Sequence, residues 1–223
     1  KNTKAPQNSI ASLQEAVKLG CEGSEFDVHM TADEVTILYH DRDAEGLPLE
    51  KTSFERLSKL RLSNGESIPT LTAFLEAGMQ QNTTKLILEI KPSAVSKERG
   101  IALAEKVVKQ VQELKAQAWV DYISFDYDML KKVLELDPYA NVAYLNGDKA
   151  PAEVAEDKFY GLDYNQKVFR EKTGWIEEAK EHQLTLNVWT VNDGESLDWF
   201  LEKGFDFITT DEPELLLKKV KEN

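Results

Sequence analysis

Short runs of β-branched and aromatic residues alternate along the chain with longer stretches whose apolar positions recur every three to four residues. The strand-like runs fall at 23–30, 36–40, 85–91, 122–125, 141–145, 160–165, 185–191 and 205–211, and helical spacing fills the intervals. Such alternation is the pattern of repeated βα units. Ile10, Leu13, Ala16 and Val17 share one face behind the cap Ser9, and Gly20 stands where a helix C-terminus favours glycine. Ile101, Ala104, Val107, Val108, Val111 and Leu114 form the longest amphipathic stripe. Asp193 or Asn192 caps a helix carrying Leu197, Phe200 and Leu201, and Pro213 suits the first turn of a last helix.

The run 36–40 follows Met30 too closely for a helical crossover, so it is expected to pair antiparallel or to sit outside the main sheet. Seven parallel-type strands remain. The expected fold is α/β, a (β/α)8 TIM barrel whose first strand is missing from the visible chain and precedes Lys1. A small insertion at about 36–68 follows the second barrel strand, and its stretch 41–67 is polar and irregular. A doubly wound open sheet would carry a Gly-rich turn after its first strand, and none is present. One domain spanning 1–223 is the simplest organisation.

Composition narrows the partners. The 223 residues carry 27 Lys and Arg against 40 Asp and Glu, a formal net charge of −13, and that acidity disfavours nucleic acid and anionic membrane surfaces. No apolar run reaches the roughly 18–20 residues of a membrane span. The polar start is unlike a signal peptide, so any leader is expected upstream of it, and a periplasmic or cell-envelope setting is the preferred expectation. The single cysteine, Cys21, excludes a disulfide framework or a multi-cysteine zinc site and reads as a small buried hydrophobe.

Candidate chemistry begins at Glu25-Phe26-Asp27-Val28-His29. Residues two apart on a strand share a face, so Glu25, Asp27 and His29 point one way. Two carboxylates facing into a buried barrel strand call for a neutralising cation. Glu89 and Lys91 repeat the pattern on the next barrel strand, near the end where barrels of this kind place their chemistry. All-oxygen ligation by Glu25, Asp27 and Glu89 suits one hard divalent ion, Ca²⁺ or Mg²⁺, with Lys91 as a further positive charge. The plainer alternative pairs Glu25 with Lys91 and Asp27 with a loop amide. His40, followed by Asp41, can reach the same rim and suits proton transfer at neutral pH, an exposed loop histidine being the alternative. His29 reads as an orienting group, His182 as a solvated helix end, and Trp189 as either a pocket wall or core.

These residues resemble the glycerophosphodiester phosphodiesterases. Ala5-Pro6-Gln7-Asn8-Ser9 resembles that family's Pro-Glu-Asn-Thr element, which brings Asn8 beside the site, and Glu25-Phe26-Asp27-Val28 its Glu-x-Asp-Val strand. His40-Asp41, Ile68-Pro69-Thr70-Leu71, Glu89-Ile90-Lys91, 188–192 and 208–213 follow its remaining motifs in order. The resemblance implies a TIM barrel with an insertion and one divalent metal on Glu25, Asp27 and Glu89. It also implies that His40 is one of two acid–base histidines, that Lys91 contacts the phosphate, and that a small glycerophosphodiester is hydrolysed to sn-glycerol 3-phosphate and an alcohol. The family's first histidine belongs to a His-Arg-Gly motif expected upstream of Lys1. Gln7 stands where the family often has Glu, Ser9 where it has Thr, and Glu34 where a turn glycine is usual. A phospholipase D-like enzyme acting on lysolipids would need an exposed apolar loop, and a non-catalytic barrel would bind glycerophosphodiesters without turning them over.

Overall fold

The computed structural model describes residues 5–222. In chain order it comprises α1 (Ile10–Leu19), β1 (Gly23–Met30), β2 (Thr36–Leu38), β3 (Asp43–Ala44), β4 (Leu47–Pro48), a 3₁₀ turn (Leu49–Lys51), α2 (Phe54–Leu57), α3 (Leu71–Gly78), β5 (Lys85–Ile90) and α4 (Lys97–Glu113). There follow β6 (Val120–Ser124), α5 (Tyr127–Leu136), β7 (Val142–Tyr144), α6 (Pro151–Glu156), β8 (Gly161–Asn165), α7 (Gln166–Glu171), α8 (Gly174–Glu181), β9 (Thr185–Trp189), α9 (Gly194–Glu202), β10 (Phe207–Ile208) and α10 (Pro213–Glu222).

The main sheet has the order β10-β9-β8-β7-β6-β5-β1-β2. All its pairings are parallel except β1 with β2, whose register sets Val28 opposite Leu38. The antiparallel expectation for the run after Met30 and the seven parallel strands are therefore observed. The sheet curls as a TIM barrel does. One face packs outward: Phe26, Val28, Leu86, Leu88, Ile90, Tyr122, Tyr144, Leu162, Tyr164, Leu186 and Val188 join the helices in the principal core. The alternate positions meet across the bore, where Ile123, Ala143 and Leu145 pack with Ile87, Phe125 and Trp189. Gly161 lets two strands approach, since a Cβ there would lie within 2.7 Å of the Thr185 carbonyl oxygen.

Local chemistry explains the element ends. The Ser9 side chain accepts from the Ser12 amide, and Gly20 closes α1 at φ 77°. Asp193, rather than Asn192, caps α9 by accepting from the Ser196 amide. Glu34 takes φ 61°, the left-handed turn conformation that glycine fills most easily.

The insertion is better built than its polar, irregular sequence predicts. Ile37, Ala44, Leu49, Leu57 and Ile68 are buried together in a small core of their own. Its Glu50 carboxylate reaches back to the barrel, accepting from the Ser93 hydroxyl at 2.6 Å, the Ala94 amide at 2.7 Å and Arg99 Nε at 3.2 Å. Arg99 also donates to the carbonyl of Met30 at 3.3 Å and to that of Thr31. Glu66, at the insertion's far end, accepts from the amides of Ile10 and Ala11 at 3.0 and 3.3 Å and so caps α1 from outside.

Candidate active site

Register brings the acidic residues together. Asp27 and Glu89 are partners across β1 and β5, and Glu25 lies two residues behind Asp27 on the same face. Carboxylate oxygens of Glu25, Asp27 and Glu89 all come within 4.8 Å of one another. Lys91 Nζ lies 3.1 Å from Asp27 Oδ1 and 2.9 Å from Glu89 Oε1. Lys91 thus bridges Asp27 and Glu89 and not Glu25, which corrects the alternative pairing considered from sequence. Asp27 does meet a loop amide: Asn8 Nδ2 donates to Asp27 Oδ2 at 2.8 Å, and Asn8 Oδ1 accepts from the Asp27 amide at 2.8 Å. Asn8 makes this two-point clamp from a left-handed backbone, φ 59°, which asparagine tolerates better than most residues.

Electrostatics follow from enclosure. The protein surrounding Glu25, then the charges of Asp27 and Glu89, hold its carboxyl well above the ordinary carboxylate range, and solvent access to the same side chain softens that effect. Burial lifts Glu89 to about 7 against the pull of Lys91. Burial opposes the charge on Lys91, but Asp27 and Glu89 together outweigh it and raise the ammonium pKa. With all three carboxylates ionised, one ammonium would leave an excess of two negative charges. Glu89 Oε1 is buried and lacks a well-directed hydrogen bond despite its nearness to Lys91. A hard divalent cation fits both facts, since it matches the charge and takes carboxylate oxygens as ligands.

His40 stands beside this cluster. A 210 Å³ cleft is lined by Pro6, Gln7, Asn8, His40, Asp41 and Arg61 among others, so Asn8 has one side on the carboxylates and the other on the cleft. His40 Nδ1 lies 2.9 Å from Asp41 Oδ1, which orients the ring and leaves Nε2 for proton transfer. His29 is buried and hydrogen-bonds the backbone of His40. Burial lowers its pKa to about 4, so it remains a neutral positioning group at pH 7. Sequence reasoning cast His29 as orienting a carboxylate or filling the rim, whereas its contact is with the backbone of His40.

Trp189 faces the bore, edge-on to Phe125 with ring centroids 5.6 Å apart, and its indole N–H donates to the Asp163 carbonyl at 2.8 Å. Its polar atom is occupied, and its ring is what it offers a ligand. Tyr164 points outward into the helix layer, and the Asn165 side chain caps α7 by accepting from the Lys167 amide. Cys21 is half-buried rather than buried, and its thiol is raised by burial and then by Glu214. His182 ends α8 in the solvated position expected. Sequence reasoning missed Asp163, a buried carboxyl inside the barrel raised to about 7 by burial and then by Glu89. The signal was present, because Gly161-Leu162-Asp163 sets an acid on the inward face just as Glu25 and Asp27 are set.

Comparison with known proteins identifies the family and the fold. Residues 1–215 match the sequence profile of the glycerophosphoryl diester phosphodiesterase family. A glycerophosphodiester phosphodiesterase of Caldanaerobacter subterraneus subsp. tengcongensis is 28% identical over 231 residues, covering 97% of this chain and 93% of that protein. The crystal structure of a glycerophosphodiester phosphodiesterase from Parabacteroides distasonis superposes with a TM-score of 0.96 at 40% identity, over all of this chain and 93% of the other. An Oleispira antarctica phosphodiesterase, solved in complex with the product sn-glycerol-3-phosphate, shares the fold at a TM-score of 0.81 and 24% identity, over 97% of this chain and 92% of its own.

Proposed function

The chain belongs to the glycerophosphoryl diester phosphodiesterase family, and we propose that it hydrolyses glycerophosphodiesters to sn-glycerol 3-phosphate and an alcohol with the help of one divalent metal ion. The observation that carries this reading is the convergence of Glu25, Asp27, Glu89 and Lys91 on one barrel end, next to the cleft that holds His40. The product complex of the Oleispira relative supports the choice of substrate.

Glu25, Asp27 and Glu89 are the residues that would hold the ion, and Ca²⁺ or Mg²⁺ suits their all-oxygen set. When bound, such an ion supplies Lewis-acid neutralisation of the phosphodiester oxygens. Lys91, fixed between Asp27 and Glu89, offers its ammonium to the same oxygens as negative charge builds. Asn8 holds Asp27 in place from the cleft side. His40, oriented by Asp41, is one of the two groups that move protons, acting at Nε2: as water adds to phosphorus its proton passes to the base, the bond to the alcohol oxygen breaks, and the departing alkoxide takes its proton from the acid. Trp189 walls the substrate opposite the carboxylates.

The substrate of this reading is small. Leu49 and Leu57 of the insertion are buried in its own core rather than displayed for a lipid. The test is release of glycerol 3-phosphate from glycerophosphoethanolamine by the full-length natural polypeptide, with chelator and after Ca²⁺ or Mg²⁺ is restored. Release that stops with chelator and returns with the ion is expected. No release with either ion from folded protein would overturn the reading.

A further inference from the structure

The Glu50–Arg99 ion pair at the root of the insertion lies outside the reacting groups, yet it reaches the backbone behind two of them. The two side chains are 12% and 20% exposed, so the pair is largely withdrawn from water. Apolar side chains of similar volume often replace such a pair without loss of stability, so what the pair adds here is orientation. Glu50 Oε1 accepts from the Ser93 hydroxyl and from Arg99 Nε, and Oε2 accepts from the Ala94 amide. Donors converging on both oxygens require a carboxylate, because an amide in its place would turn an N–H toward a donor.

Ser93 and Ala94 follow Lys91 closely. β5 ends at Ile90, the Lys91 amide donates to the Val28 carbonyl at 3.1 Å, and Pro92 cannot extend the ladder. From there to the start of α4 the chain is irregular, and Glu50 grips it at 93–94. The other side of the pair leads to His40. Arg99 donates to the carbonyls of Met30 and Thr31, the two residues after His29, and His29 hydrogen-bonds the backbone of His40. Within the insertion, the Leu49 amide beside Glu50 donates at 3.0 Å to the carbonyl of Arg42, two residues past His40. The His40 side chain is 54% exposed, so its place is inherited from this backbone rather than imposed by packing.

We propose that Glu50 is a positioning residue for the hydrolysis: its carboxylate sets the segment behind Lys91 against the segment behind His40 and so fixes the span between the ammonium and the imidazole. The proposal rests on the phosphodiesterase reading, in which Lys91 meets the charge that builds on the phosphodiester while His40 moves a proton. Both act in the same transition state, so a span wrong by about 1 Å costs up to about 100-fold in rate and leaves ground-state binding nearly intact.

The test uses the metal-loaded full-length enzyme with glycerophosphoethanolamine. Glu50→Gln, which keeps the shape of the side chain, is expected to lower kcat by about 10- to 100-fold and to change KM less than about twofold. A double variant, Glu50→Met with Arg99→Met, fills the same space without directed bonds. It is expected to melt at or above the temperature of the natural protein and still to show the loss in kcat. Recovery of kcat in the double variant, a loss carried by KM alone, or kcat losses that follow melting temperature across the variants would overturn the proposal. Crystal structures separate this from failure of the enzymatic reading. A Lys91 Nζ to His40 Nε2 separation that differs by about 1 Å or more between Glu50→Gln and the natural protein sustains the positioning even if no diester is turned over, and an unchanged separation rejects it.

Discussion

Glu89 and Glu25 titrate above ordinary carboxylates because burial, followed for Glu25 by its acidic neighbours, disfavours their charged forms. A folded-state pKa raised above the unfolded value stabilises most below the unfolded pKa and loses that contribution as pH rises through the folded value. The metal-free protein is therefore expected to lose thermal stability between about pH 5 and pH 8, and a denaturation series in chelator checks this; a Tm that rises across the window would contradict it. Ion binding must displace those protons, so affinity for Ca²⁺ or Mg²⁺ is expected to increase over the same range, with proton release seen as a buffer-dependent heat in calorimetry. His40→Ala should abolish turnover with the ion still bound, whereas Glu89→Ala should lose both. Asn8→Gly keeps the left-handed backbone but deletes the clamp on Asp27, and a loss of about 10-fold or more in metal affinity is expected. Glu25, Asp27 and Glu89 were readable in advance because period-two alternation on β1 and β5 converts spacing directly into direction, whereas Asn8 was marked only by the family resemblance. Asp163 escaped notice because a single acid in an otherwise apolar and aromatic run announces neither a partner nor a charge pair.

At the level of elements, the long amphipathic α4 and the βα alternation were legible because burial enforces their periods. The insertion was not, because its core is assembled from residues on two-residue strands, a single helical turn and the flanks, none long enough to show a period. Leu57, fully buried there, is the test: Leu57→Ala is expected to cost about 2–4 kcal/mol in chemical denaturation and to raise KM through loosening of the His40 cleft, whose wall includes Leu60 and Ile68. A cost below about 0.5 kcal/mol would mean that the small core does not support the cleft. The Glu50–Arg99 junction serves the same purpose from the barrel side, since it ties the insertion to the backbone at the end of β1.

For the whole molecule, the net charge of −13 surrounds a site in which Lys91 supplies positive charge and a divalent ion, when bound, would add to it. Long-range repulsion of an anionic substrate is screened by salt, while a zwitterionic one is affected less. Raising ionic strength from about 10 to 150 mM is expected to increase kcat/KM for a glycerophosphodiester with an uncharged alcohol more than for glycerophosphoethanolamine, and equal responses in steady-state assays would refute this. The barrel itself was legible from strand count and spacing, while its interior chemistry required the third dimension that brings β8 opposite β1 and β5. One contact between distant parts reaches further. By fixing where α1 starts, the Glu66 carboxylate also holds the turn that presents Asn8. Loop grafting from a relative would then be limited by more than cleft shape: a transplanted insertion lacking an acid at that position would misplace Asn8, and the chimera would announce the mismatch first as weakened metal retention.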